Sequence, residues 1–204
     1  MEVDDFSRFM AQEFCGVSLN ICTLLALQLY SNNMAFEKAV GWSCLPYMAM
    51  TVFKLLTDKA ATVNMPKKNS YFVLIINAVV AIACLTEHTL ANLLTKLYAV
   101  HSLINGIPLL FAPKTGGKMW DLVPESNQNT LLLQWMGYGL ISHFVSLLPA
   151  FGLVDDTYKV TGLITATMSA SLIGLFGLGK LKDLQLVPVL VWIALLVSIT
   201  LSLL

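Results

Sequence analysis

The sequence predicts an all-α, polytopic integral membrane helix bundle with about seven transmembrane helices, on three observations. The composition is 57% hydrophobic and only 12% charged over 204 residues, the apolar residues fall in long continuous runs, and the basic residues divide unequally between the connections. A soluble domain is about 45–50% apolar and about 25% charged. At a mean hydropathy of +0.74, this chain lacks the charge to cover a water-facing surface. A bilayer removes that requirement, because lipid-facing surface is apolar. Twelve basic and twelve acidic residues balance, which leaves no broad cationic field and excludes nucleic acid as a partner.

The predicted spans are residues 14–30, 39–56, 71–86, 90–112, 131–153, 160–179 and 185–204, in a single transmembrane domain over residues 1–204. A span takes about 20 mostly apolar residues. The first three runs are shorter, and their polar flanks can snorkel to the interface. Continuous rather than alternating runs favour helices over strands. Ser31, Asn32 and Asn33 close the first helix, and residues 64–70 separate the second from the third, with Ser70 read as an N-cap. Pro113 ends the fourth, and Gly116 and Gly117 oppose its continuation. Asp155, Asp156 and Thr157 precede the sixth, where carboxylates suit the positive end of a helix. Gly179 and Lys180 close it.

Seven spans place Arg8, Lys54, Lys59, Lys67, Lys68, Lys114, Lys118, Lys180 and Lys182 on one side, and Lys38, Lys96 and Lys159 on the other. That asymmetry predicts an N-terminus facing the cytoplasm (or a stroma or matrix) and a C-terminus facing away. The acidic start fits neither a signal peptide nor a transit peptide. Trp42 and Trp135 each open a helix followed by a short polar loop, a tyrosine and a further apolar helix. This echo has two readings: a 3+3+1 inverted-repeat arrangement of the kind found in transporters, or mere likeness of composition between apolar helices.

Polar side chains inside a membrane are costly and turn toward protein or a cavity. His101 and Asn105 share one face of the fourth helix, four residues apart, with Pro108 beyond them. They are candidates for a ligand or pigment site, or for hydrogen bonding between helices beside a proline kink. His143, in the middle of the fifth span, is the best single functional candidate; Asn20, Asn77 and Gln134 are lesser ones. Glu87 and His88 lie in the turn between the third and fourth helices, where a proton relay competes with simple interfacial placement. Gly162, Ala166, Ala170 and Gly174 recur every four residues and predict a helix-packing stripe. Helix five adds Gly137, Gly139 and Gly152.

No catalytic or metal site is predicted. Lys114-Thr-Gly-Gly-Lys118 is not a phosphate loop, and H-E-x-x-H and G-x-S-x-G are absent. Cys15, Cys22, Cys44 and Cys84 read as small buried hydrophobes. The Leu-Leu-Phe-Ala-Pro ending of the fourth helix at residues 109–113, followed by a second helix pair, resembles the small DoxX-like membrane proteins. That likeness covers one hairpin and implies no residue role or activity. The expected function is a non-catalytic accessory or scaffold subunit of a larger membrane complex, among membrane lipids and neighbouring membrane subunits, holding lipid or pigment. The alternative is a small-solute or lipid transporter, with the expected lack of any deep Asp or Glu weighing against ion-coupled transport. His101, Asn105 and His143 are expected to be closed off by packing or a bound group rather than to line a wet cavity.

Overall fold

A computed structural model describes residues 5–31, 34–57, 67–154, 159–161, 164, 194 and 197. Among these the chain is all-α: α1 Asp5–Tyr30, α2 Phe36–Leu56, α3 Lys67–Leu85, α4 Ala91–Phe111, α5 Pro113–Met119 and α6 Asn127–Ser146, then a 3-10 helix at Leu148–Phe151. Three helices are long and apolar enough to cross a membrane, at Gln12–Tyr30, Phe36–Leu56 and Ala91–Phe111. A shorter apolar helical stretch, Asn69–Leu85, lies in α3. These helices support a membrane protein. Of the sixth and seventh expected spans, only residues 160, 161, 164, 194 and 197 are described, all helical. The rest of both, and the stripe residues Gly162, Ala166, Ala170 and Gly174, lie outside the described residues, and with them most of the sixth span that the repeat reading needs.

The five long helices pack in a ring, α1 against α2, α2 against α3, α3 against α4, α4 against α6, and α6 back against α1. Successive helices alternate in direction, so α1 and α6, which close the ring, run parallel. At one end Asn69 of α3 donates to the Trp120 carbonyl just past α5 at 2.8 Å. At the other, Lys38 near the start of α2 meets Glu87 past the end of α3 at 2.8 Å. The interior has two apolar clusters. One gathers Phe9, Met10, Val17, Tyr47, Leu109 and Leu133; the other gathers Leu24, Val40, Cys44, Val80, Tyr98 and Leu147.

Several boundaries differ from the sequence reading for physical reasons. α1 begins nine residues before the expected start at 14, and Glu13, in this added stretch, has a partner inside the bundle. Ser70 is not an N-cap; it lies within α3 and is buried. α4 ends at Phe111, just before Pro113 as expected, but Gly116 and Gly117 sit buried inside a further short helix, α5. A Cβ on Gly116 would lie 2.6 Å from the Leu109 nitrogen, and one on Gly117 2.4 Å from the Leu122 carbonyl oxygen. Bare glycines thus let α5 fold back onto the end of α4. The fifth expected span is shorter at its end: Ser126 caps α6 by accepting from the Asn129 amide at 3.0 Å, and Pro149 opens a 3-10 turn that Gly152 closes at φ +68°.

The turn from α3 to α4 has the same logic without glycine. Glu87 adopts φ +53°, which lets the His88 amide reach back to the Ala83 carbonyl at 2.9 Å. The Lys38 ammonium hydrogen-bonds its carboxylate and holds it below the usual carboxylate range.

Candidate functional site

The ring surrounds a partly open cavity of about 70 Å³, walled by α1 to α4, α6 and the segment after α5. Space of this size holds several waters, or the head and first carbons of a larger molecule. Much of the wall is apolar, with Phe9, Met10, Val73, Leu109, Leu133 and Met136. The polar part of the wall is Glu13, Tyr47, Ser70, Asn77, Tyr98, His101, Ser102 and Asn105.

At one side stands a buried ion pair. The Lys54 ammonium of α2 donates to one oxygen of the Glu13 carboxylate of α1, and the Tyr47 hydroxyl donates to the other at 2.9 Å. The same ammonium sits 5.3 Å from the centroid of the Phe9 ring. Lys54 is 1% exposed and Glu13 8%. Glu13 lies at the start of the apolar stretch Gln12–Tyr30 and Lys54 two residues before the end of α2, so the pair sits at one end of the ring with both side chains turned into it. A spacing argument could have found Glu13: Phe9, Met10, Glu13, Val17, Asn20, Ile21 and Leu24 fall on one helical face, and all are buried.

A polar layer separates the two apolar clusters. The Tyr98 hydroxyl donates to Asn77 Oδ1 at 2.6 Å and accepts from Asn20 Nδ2 at 3.2 Å. Ser102, one turn on, donates to the Tyr98 carbonyl at 3.1 Å and lies 2.8 Å from His143 Nδ1. The His143 ring packs edge-on to Tyr98 with centroids 4.7 Å apart. Four helices are tied together by this layer. In a low-dielectric interior such a network holds its members firmly when their polar groups are paired.

The structure sorts the sequence candidates. His101 and Asn105 both line the cavity. Asn105 donates to the His101 carbonyl at 2.7 Å and lies 3.2 Å from its Nδ1. His101 stands edge-on to Trp120 and to Phe72, and Phe72 is about half exposed, so the imidazole is one ring in from the outer surface. His143 is 3% exposed and sits behind Ser102 instead of in the wall. Glu87 and His88 are exposed in the α3–α4 turn, at the opposite end from Glu13. Gln134 bridges helices by donating to the Leu110 carbonyl at 3.1 Å.

Cys44 and Cys84 are buried, but Cys15 and Cys22 face outward, which corrects their reading as buried hydrophobes. Among the described residues no three His, Cys, Asp or Glu side chains come together as metal ligands. Sequence reasoning missed Glu13, Tyr47, Lys54, Ser70 and Tyr98. The Glu13–Lys54 partners are 41 positions apart, and nothing local to either announces the other. No family model, curated protein or solved structure matches the chain.

Proposed function

We propose that this chain is a non-catalytic membrane protein that holds a small lipid-like ligand in the cavity at the centre of its helix ring. The observation that carries the reading is the wall itself: apolar side chains on most of it, with a few convergent hydrogen-bonding groups from α1, α3 and α4. Ligand sites are typically built this way, with apolar area for binding and a few placed polar groups for orientation. The reading extends to an accessory subunit working beside other membrane subunits. In its favour, α3 and α4 present continuous exposed apolar faces, including Phe72, Ile75, Val79 and Ile82 on one and Leu93, Leu97, Ile104 and Ile107 on the other. These faces suit lipid or a neighbouring helix equally.

One observation favours the second reading, passage of a small solute. Polar groups run from Glu13 through Tyr47 to Asn77 and Tyr98 along the cavity, and membrane-embedded ionisable groups commonly mark solute paths. Against it, His143 is sealed behind Ser102, so the wall stops short of the histidine pair that a through-path was expected to use.

Native mass spectrometry of the purified protein tests the first reading. The wild type should carry one apolar ligand per chain, and Ser70→Leu, which fills the cavity, should lose it while still unfolding cooperatively. A folded Ser70→Leu protein that keeps the same ligand would refute the site.

A further inference from the structure

We propose that the cavity selects a ligand whose head is neutral, a hydroxyl or a carbonyl group, over the same ligand with an acidic or ammonium head; this rests on the ligand-holding reading above. The argument begins with the charge of the wall. Among the described residues Glu13 is its sole carboxylate, and no lysine or arginine side chain takes part in it. The one charge is matched behind the wall by Lys54, itself 1% exposed. Wherever the shared proton resides, the pair is neutral as a unit. An ionic head entering this site would bring a charge with no counter-charge into a low-dielectric interior, where an unpaired charge is strongly disfavoured.

A neutral head instead finds open hydrogen-bonding capacity. The hydroxyl of Ser70 is buried, lines the cavity and has no hydrogen-bond partner among the described residues. A buried hydroxyl of this kind is costly unless something meets it, and a ligand oxygen is of the right chemistry to do so. Across on α4, the imidazole of His101 and the amide of Asn105 belong to the same wall. The other polar groups are engaged: Tyr47 with Glu13, Tyr98 with Asn77 and Asn20, and Ser102 with the Tyr98 carbonyl. Ser70 on one helix and His101 with Asn105 on another can therefore accept and donate to a single oxygen-bearing head. The tail would leave past Trp120 and Phe72, the rings that flank His101.

The test uses three probes with one ω-bromoalkyl chain and different heads, an alcohol, a carboxylate and a trimethylammonium, added to the full chain in phosphatidylcholine nanodiscs. Bromine quenches nearby tryptophan, and the part of the quenching that Trp120→Phe removes reports the cavity. The alcohol should bind at least about tenfold tighter than either ion, equivalent to about 1.4 kcal/mol. Ser70→Ala should weaken the alcohol alone. Glu13→Gln should move the preference toward the carboxylate, and Lys54→Met toward the ammonium. The paired Glu13→Gln, Lys54→Met variant should keep the neutral preference, and it serves if either single variant does not fold. Equal or tighter binding of an ionic probe to the wild type would overturn the head-group inference while leaving a ligand site in place. Absence of Trp120-dependent quenching by all three probes would instead overturn the ligand-holding reading beneath it.

Discussion

The Lys54 ammonium on α2 meets the Glu13 carboxylate on α1 inside the helix ring, with the Tyr47 hydroxyl on the second carboxylate oxygen. Burying either charge alone would be prohibitive, and together they need each other's geometry. Glu13→Gln or Lys54→Met should therefore cost about 3–5 kcal/mol, read as a lowered unfolding temperature in detergent. Combining the two should restore most of the loss. Additive losses in the double variant would show that the charges do not interact.

A second prediction concerns the close crossing of α4 and α6. A Cβ on Gly137 would lie 2.5 Å from the Leu110 nitrogen and 2.7 Å from the Gly106 carbonyl oxygen. Both are backbone atoms of α4 and cannot swing aside. Gly137→Ala should cost about 1–3 kcal/mol by overpacking. Gly139→Ala should cost less, since its added Cβ would meet only side-chain atoms, the Phe14 ring at 3.3 Å and Val17 Cγ1 at 3.6 Å. Equal Tm shifts for the two variants would contradict the crossing.

How much of this was legible in the sequence divides by range. The first four helices follow from apolar runs, and the i, i+4 spacing puts His101 and Asn105 on one wall of the cavity. Those are local properties. Ser70 looked like a cap because serine is common at helix starts, yet α3 begins at Lys67 and turns Ser70 inward. Lys54 reads as a charge of the adjoining connection because it lies two residues from the end of a span, and only its partner on another helix shows that it turns inward. Side chains whose role depends on a neighbour far along the chain, such as Ser102 with His143, have no signature in a single sequence.

At the far end, the exposed Lys38–Glu87 pair predicts a weak pH dependence. Lys38 lowers the Glu87 carboxyl below its usual range, first by hydrogen bonding and then by charge. A depressed folded value means that the pair contributes above the unfolded value and that the contribution fades as pH falls through the folded one. The stability difference between wild type and Glu87→Gln should be small at neutral pH and shrink further in acid. A difference that grows on acidification would reverse the sign.

Alternating helix direction places Thr89 and Lys118, both exposed, at opposite ends of the ring. In a background with all four cysteines replaced, single cysteines at these sites should label from opposite faces of sealed vesicles. The charge asymmetry predicts that position 118 shares its face with the N-terminus. Labelling of both from one face would contradict the orientation.

The most direct test of the account is an electron-density map of the purified protein crystallised from a lipidic phase. The account predicts continuous density in the cavity, with its head within hydrogen-bonding distance (about 2.5–3.2 Å) of Ser70 and of His101 or Asn105, and its tail running past Trp120. A cavity holding only discrete waters, or closed by the side chains around it, would contradict the account.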